Sequence, residues 1–179
     1  MFTRRGDSGE TDNTRGQRVS KASMLIDIEG TVDELNSFLG LAMVFSRWND
    51  IRSDLDRIQN NIFTLGEHVL TESNGRKLSE NDVTWLEDRV NVYRKEIGKI
   101  MLFVIPGGSK ESSTLHVART VSRRLERLLV LYAHEKKQPE VVMKYANRVS
   151  SLLFMLALAS NKRQGIDERI WPLRPGQNS

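Results

Sequence analysis

Arginines recur at four-residue spacing in LHVARTVSRRLERL, the stretch that occupies residues 115–128. If this stretch is helical, Arg119, Arg123 and Arg127 stack along one face with Glu126 among them, and apolar residues fill the opposite face. Like charges at this spacing repel by roughly a few tenths of a kcal/mol per pair. Arginine binds phosphate oxygens through paired hydrogen bonds, so a bound anion would offset the repulsion. The spacing predicts an anion site, and the alternative is a charged face exposed only to solvent.

Other kinds of catalytic or metal site find little support in the sequence. Without cysteine the chain has no disulfide framework, no thiolate metal site and no cysteine nucleophile. Its histidines are His68, His134 and His116, which helical spacing places on the charged face, and none forms an H-x-x-x-H or E-x-x-H metal pattern. A G-x-S-x-G nucleophile turn is also missing. The residues therefore favour binding of a triphosphate or a nucleic acid, and the aromatic residues are too few for stacked single strands.

Composition indicates one globular domain with a basic surface. The chain has 179 residues and a net charge of +4, which allows a polyanionic partner but does not choose between nucleotide, nucleic acid and membrane surface. No apolar run approaches the roughly 20 residues that cross a bilayer. The N-terminal residues lack the apolar core of a signal peptide. We therefore expect a cytoplasmic protein without a membrane segment.

Apolar residues at three- and four-residue spacing predict five amphipathic helices and no strand. The clearest seam contains Ile51, Leu55, Ile58 and Ile62, which is typical of helical bundles. The predicted helices span about 23–45, 49–71, 80–97, 110–135 and 139–162. Because short polar loops join them, we predict an all-α fold, a five-helix up-and-down bundle.

The predicted bundle comprises residues 23–163, and the segments that flank it lack the helical spacing of apolar residues. We expect residues 1–22 to form an N-terminal nucleotide-binding loop and residues 164–179 to form a partly mobile tail anchored by Trp171.

The N-terminal loop prediction depends on the stretch TRRGDSGET. Gly6 and Gly9 would let backbone N–H groups approach a phosphate closely. Thr3, Arg4 and Thr11 could donate hydrogen bonds to the same phosphate. A disordered terminus is the alternative, since the spacing does not match a Walker A loop.

A series of motifs in register resembles one family across about residues 3–163. The motifs are TRRGDSGET, RVSK, GTVDELNS, IQNNIFTLG, FVIPGG, LHVARTVSRRLER and YANRVSSLLF. Together they are similar to ATP:cob(I)alamin adenosyltransferases of the PduO type. The resemblance implies a ferritin-like five-helix bundle that assembles as a homotrimer, with active sites between subunits. It also implies transfer of the 5′-deoxyadenosyl group of ATP to the Co(I) of a reduced corrinoid, giving adenosylcobalamin and triphosphate.

In that chemistry Co(I) is the nucleophile, so the protein supplies orientation and charge stabilisation rather than an acid or base. Mg²⁺ would be bound mainly through the ATP phosphates. The product would be handed to an adenosylcobalamin-dependent enzyme, and no nucleic acid or membrane partner is expected.

The resemblance also assigns roles to individual residues. Phe103 matches the aromatic that crowds the lower face of cobalt, displaces the corrinoid's own base and eases reduction to Co(I). Asp33 and Arg119 would form a salt bridge beside the corrin, and Arg123 would act with these three in catalysis. The residues implied in ATP binding are Thr3, Arg4, Gly6, Asp7, Gly9, Thr11, Lys21, Arg123, Glu126, Arg127 and Asn147.

Some positions depart from the family pattern or rank below the assigned residues. Residues 12–17 read DNTRGQ where relatives are commonly glycine-rich, and Ser151 stands at the position of an aspartate in the fifth-helix motif. Arg124 lies about 100° round the helix from Arg123, so we rank it below Arg123 as a candidate residue of the ATP site. Alternatives to the enzyme are a non-catalytic corrinoid or nucleotide sensor and a basic module that binds polyanions.

Overall fold

The computed structural model describes residues 4–13, 16–71, 75–99 and 103–172, so the predicted phosphate donor Thr3 lies outside the described residues. Five helices account for most of this part of the chain. They are α1 (Met24–Phe45), α2 (Asn49–Leu70), α3 (Glu80–Ile97), α4 (Lys110–Glu135) and α5 (Glu140–Arg163). Each predicted helix is present, and the bounds agree with the prediction to within one residue.

The helix starts show why the bounds were predictable. Ser79 precedes α3. Its backbone N–H and its hydroxyl both donate to the Asp82 carboxylate, at 3.0 and 2.7 Å. Ser109 precedes α4, and its hydroxyl accepts the backbone N–H of Ser112 at 3.0 Å. These side chains satisfy amide groups that the first turn leaves without helical partners.

The fourth helix occupies the centre of the bundle. It packs between α1 and α5, while α2 packs on α1 and α3 packs on α5. The apolar stripe of α4, including Leu115, Ala118 and Leu125, is buried in one continuous core. Burial of this stripe leaves the arginine side of the helix to face outward. The predicted five-helix bundle is confirmed.

The prediction that the chain has no strands is wrong. Two short antiparallel pairs form, β1 (Glu10–Asp12) with β2 (Arg18–Ser20) and β3 (Val104–Ile105) with β4 (Arg169–Ile170). Strands of two or three residues leave no alternating pattern long enough to detect.

One helix in the described ranges, α5, is long and apolar enough to cross a membrane by length and composition, which the sequence prediction did not anticipate. Most of that apolar window is buried inside the bundle. This is the burial expected of a core helix.

An ionic network ties α2, α3 and α5 together at one end of the bundle. The buried carboxylate of Asp54 accepts hydrogen bonds from the Arg89 guanidinium at 2.8 and 2.9 Å and from the Tyr93 hydroxyl at 2.7 Å. Arg163 donates paired hydrogen bonds to both Asp50 and Glu96 at 2.7 to 2.8 Å. These partners raise the pKa of Arg163 above its ordinary value. The network links α2 to α3 and α5, two helices on which α2 packs little.

We expect Asp54→Ala to lower the free energy of unfolding by about 2–4 kcal/mol, because Arg89 and the Tyr93 hydroxyl lose their shortest hydrogen bonds. The partly exposed Arg89 keeps the loss below that of a fully buried pair. Urea denaturation followed by circular dichroism measures the change. Asp56→Ala, on the exposed side of the same helix, is the matched control and should change stability by less than about 0.5 kcal/mol. Equal losses in the two variants would contradict this account.

Candidate active site

The arginine face of α4 (Arg119, Arg123 and Arg127) lies on the side of the helix opposite the core. Arg123 and Arg127 are exposed, and Arg119 is half-buried. Among the residues that the structure describes, neither Arg119 nor Arg127 forms an ion pair with a carboxylate. A row of guanidinium groups with so little acidic compensation favours a bound anion over a solvated surface.

A carboxylate and an amide from two helices meet beside this face. The Nδ2 of Asn147, on α5, donates to the Oε1 of Glu126, on α4, at 2.6 Å. The other carboxylate oxygen of Glu126 lies 3.9 Å from Nη1 of Arg123. Arg148 in turn donates to the Asn147 amide oxygen at 2.5 Å and to Glu87 of α3 at 2.9 Å. The structure therefore brings together three of the predicted nucleotide-binding residues, Arg123, Glu126 and Asn147.

His116 contacts Arg119, as its helical spacing predicts, but it is buried, whereas Arg123 and Arg127 are exposed. The His116 side chain is 2% exposed, and its Nδ1 accepts a hydrogen bond from Nε of Arg119 at 3.3 Å. Burial lowers the pKa of Arg119 from its ordinary value, and the charge of Arg123 lowers it further. The innermost arginine of the face is thus held by a histidine rather than by a carboxylate.

The predicted salt bridge between Asp33 and Arg119 does not form within one chain. Asp33 is exposed on α1, and no ion pair joins it to Arg119 in the described part of the protein. The ion pair between α1 and α4 is instead Glu34 with Arg124, an arginine to which the prediction gave less weight. Asp33 lines a groove of about 440 Å³ between α1 and α2, together with the exposed ring of Phe63. Phe63 is a candidate site residue that the sequence did not single out.

The N-terminal segment folds as a hairpin on which several predicted phosphate-binding residues converge. Lys21 donates from its backbone N–H to the Gly9 carbonyl at 2.9 Å and from Nζ to the Gly6 carbonyl at 2.8 Å. Arg4 and Gly9 both have positive φ angles, of 59° and 80°. Gly9 tolerates this conformation because it has no Cβ. The Lys21 ammonium keeps further donors for an anion beside the loop.

Within the departure DNTRGQ, the described residues Asn13 and Gln17 are joined by hydrogen bonds between the two strands of this hairpin. Gln17 donates its backbone N–H to the Asn13 side chain at 2.9 Å, and Asn13 returns its own N–H to the Gln17 carbonyl at 2.9 Å. Thr11 lies within β1 and Asp7 in the preceding turn. No hydrogen bond or ion pair joins the described hairpin residues to the arginine face of the same chain. The two predicted halves of the nucleotide site are therefore not connected by such contacts in the described part of this chain.

Phe103 stands exposed at the start of β3. Its side chain is 60% exposed, and its φ of 61° is unusual for a residue with a Cβ. The backbone N–H of Trp171 donates to the Phe103 carbonyl at 2.8 Å, next to the pairing of β3 with β4. Trp171 is thus held here through its backbone, since its side chain, the predicted anchor of the tail, is itself exposed. This exposure is not that of a residue packed in the core.

Asn161, a buried residue of α5 that the sequence did not single out, clamps the turn that follows β3. Its side chain accepts from the Ser109 backbone N–H at 2.9 Å and donates to the Gly107 carbonyl and Glu168, both at 3.0 Å. Gly108 has a φ of 95°, and a Cβ there would lie 2.4 Å from the Asn161 amide. The clamp fixes the path between Phe103 and α4. No sequence signal reveals it, because one asparagine in an apolar helix has many possible partners.

Comparisons with known proteins agree on one family. The family described as cobalamin adenosyltransferase matches residues 1–160. A corrinoid adenosyltransferase from Bacillus subtilis is 38% identical over 94% of this chain and 90% of its own length. A cobalamin adenosyltransferase from Cupriavidus metallidurans is 37% identical over 96% of this chain and 93% of its own. A variant PduO-type ATP:corrinoid adenosyltransferase from Lactobacillus reuteri, solved with cobalamin and ATP, superposes with a TM-score of 0.88 at 28% identity, covering 95% of this chain and 98% of that one.

We expect Asn161→Ala to loosen the turn after Phe103, because it leaves a buried backbone N–H and a carbonyl unpaired. The loss of stability should be about 1–3 kcal/mol. Hydrogen–deuterium exchange of the peptide that contains Ser109 should become faster in the variant. Asn60→Ala removes an exposed amide that bonds only within its own helix, and should leave this exchange unchanged. Unaltered exchange in Asn161→Ala would show that the clamp does not hold the turn.

Proposed function

The chain belongs to the cobalamin adenosyltransferase family and transfers the adenosyl group of ATP to a corrinoid, and we propose that the acceptor is the Co(I) form, with triphosphate as the second product. The observation that carries the proposal is the outward row of Arg119, Arg123 and Arg127. The contact between Glu126 and Asn147 places neutral and negative groups beside that row. A triphosphate supplies negative charge that neutralises these arginines, and a ribose supplies hydroxyl groups that can bond to Glu126 and Asn147.

We propose that the N-terminal hairpin closes over the nucleotide. The Lys21 ammonium and the backbone around Gly6 and Gly9 supply donors suited to phosphate oxygens. Arg4, Asp7 and Thr11 belong to the same segment, and Thr3 precedes it. On this proposal residues 1–22 act as a nucleotide-binding unit attached to the bundle of residues 23–163, with residues 164–179 as the tail.

The corrinoid site is proposed at Phe103 and at the groove that contains Asp33 and Phe63. Both places present exposed aromatic rings, which suit the flat and largely apolar face of a corrin. The Phe103 ring would occupy the lower axial side of cobalt and displace the corrinoid's own base. A cobalt ion without that ligand accepts the electron that gives Co(I) more readily.

We further propose a homotrimer with each site between neighbouring subunits. Asp33 forms no pair with Arg119 in its own chain, and the hairpin makes no hydrogen bond or ion pair with the arginine face where the chain is described. If Asp33 of one subunit approaches Arg119 of the next, the expected salt bridge forms between subunits. The hairpin of one subunit can then contact the arginine face of its neighbour. Such a contact joins two different surfaces, so it closes only as a ring.

In the proposed reaction Co(I) attacks the C5′ carbon of ATP with its electron pair. The Co–C bond forms as the C5′–O5′ bond breaks, and triphosphate leaves with the bonding pair. The protein needs no acid or base, because no proton moves. Its contribution is to align cobalt with C5′ and to stabilise charge on the leaving triphosphate through Arg123 and Arg127.

Mg²⁺ is proposed to arrive with the nucleotide. Within the described ranges no group of three or more His, Cys, Asp or Glu side chains could hold a metal ion. The Glu126 carboxylate lies 3.9 Å from Arg123 of this face, and it can assist the ion only as one ligand among phosphate oxygens.

One assay distinguishes the enzyme from its alternatives. The protein is incubated with ATP, Mg²⁺ and chemically reduced cobalamin, and the corrinoid spectrum is followed. The enzyme forms adenosylcobalamin and triphosphate in equal amounts. A sensor binds ATP or corrinoid without turnover, and a polyanion-binding module shows steep salt dependence without selectivity for ATP. A cytoplasmic location and hand-off of the product to an adenosylcobalamin-dependent enzyme stay predictions.

We predict that Arg123→Ala lowers kcat/KM for ATP by about 100-fold or more, because a charged donor to the triphosphate is lost. Thermal unfolding should change little, since the side chain is exposed. Arg124→Ala removes the neighbouring charge, which pairs with Glu34 rather than facing the site, and should keep most of the activity. Similar losses in both variants would indicate a general electrostatic effect rather than a contact with ATP.

We predict that Phe103→Ala impairs turnover that starts from Co(II) and largely spares turnover that starts from chemically prepared Co(I). The reason is that the ring is assigned to displacement of the axial base, which matters for reduction. Rates from the two starting states are compared with the same reductant and ATP. An equal effect on both would remove Phe103 from the reduction step.

A further inference from the structure

A buried imidazole lies directly beneath the arginine face. His116 is 2% exposed, and its ring packs against Phe154 of α5 with centroids 6.0 Å apart and planes tilted by 60°. Its Nδ1 accepts the hydrogen bond from Nε of Arg119 at 3.3 Å, one turn further along α4. The histidine is therefore packed against α5 while its ring nitrogen contacts the Nε end of the Arg119 guanidinium.

The contact fixes which form of the imidazole is present. Because Nδ1 accepts a hydrogen bond, the proton of the neutral ring is on Nε2. Burial lowers the pKa of His116 to about 4, and the adjacent charge of Arg119 contributes to this shift. At neutral pH the ring is consequently an uncharged acceptor with one defined tautomer.

A neutral acceptor does something here that a carboxylate could not. A carboxylate would take the guanidinium in a bidentate pair and cancel its charge. His116 engages only Nε, and the terminal N–H groups of Arg119 have no partner among the described residues. The guanidinium is thus fixed in direction while its positive charge stays available to a ligand.

Stability of the fold does not explain a histidine at this position. The Nε2 atom of His116 is buried and has no hydrogen-bond partner in the part of the chain that the structure describes. A buried donor without an acceptor is a cost to the folded state. Leucine would fill the same apolar surroundings without that cost.

We propose that His116 is a positioning residue for the transfer reaction, which aims the charged Arg119 side chain at the corrinoid side of the site. This inference rests on the proposed function for its kinetic consequence, because Arg119 is assigned there to the corrinoid. The contact itself does not depend on that function.

The kinetic test compares His116→Leu with His116→Asn. Leucine cannot accept from Arg119, whereas the asparagine amide oxygen can take the place of Nδ1. We expect His116→Leu to lower kcat/KM for the corrinoid by about 10-fold or more, with KM for ATP and thermal stability retained. His116→Asn should restore most of the loss. Ser112→Ala is the control and should leave kcat/KM for the corrinoid unchanged. Ser112 is buried four residues earlier on α4, and its hydroxyl, like Nε2 of His116, has no hydrogen-bond partner among the described residues.

A double-mutant cycle with Arg119 separates positioning from a general packing effect. In an Arg119→Ala background, His116→Leu should lower kcat/KM by less than about twofold, because the residue that it positions is gone. Independent, multiplying losses would overturn the proposal. It would equally be overturned if asparagine and leucine at position 116 gave the same kinetics.

The contact can also be measured without turnover, which keeps this inference distinct from the proposed function. With ¹⁵N-labelled arginine and histidine in the full-length protein, nuclear magnetic resonance should show an unprotonated His116 Nδ1 at neutral pH. The Arg119 Nε–H should exchange slowly in the wild type and in His116→Asn, and rapidly in His116→Leu. Identical Arg119 exchange in all three proteins would refute the positioning role even if the wild type proved inactive in the transfer assay.

Discussion

Burial of one face of α4 between α1 and α5 is the constraint on which the rest of the structure depends. A helix that buries Leu115, Ala118 and Leu125 has no freedom to rotate, so the direction of every other side chain on it is settled. The arginines at four-residue spacing then point outward as a group. Their mutual repulsion is sustained by the core, because the apolar contacts of α4 greatly outweigh a few unfavourable charge pairs. The outward direction of the arginine face is in this sense a consequence of the packing.

Periodicity predicted the bundle well because the residues that pack one helix on another recur every three or four positions in the sequence. The seam of α2 and the apolar stripe of α4 each recur within a few residues, and serine caps mark where α3 and α4 begin. The strands were missed because two or three residues carry no period. The N-terminal hairpin depends on a side-chain contact between Asn13 and Gln17, which a count of apolar residues does not detect.

The site was predicted unevenly, for a related reason. Arg123, Glu126 and Asn147 do come together, since helical spacing and the order of the bundle place α4 beside α5. The burial of His116 was not predicted, because helical spacing places it beside the arginines, while the first turns of α4 are buried on that side as well, at Ser112 and His116. Asp33 shows a different limit, because the order of the helices does not decide which acidic residue of α1 pairs with which arginine of α4, and the observed pair is Glu34 with Arg124. Asn161 escaped notice because its three bonds go to groups distant in sequence.

The tight fit between Gly108 and Asn161 has a consequence for how such sequences can change. A side chain at position 108 would meet the Asn161 amide at 2.4 Å, and Gly108 also needs its positive φ. A smaller residue at position 161 would make room, but it would release the backbone groups of Gly107 and Ser109. A substitution at either position alone therefore disrupts the contact between them. In an alignment of relatives the two columns should vary together or hardly at all, although they are far apart in the chain and neither contacts a substrate in the proposed reaction.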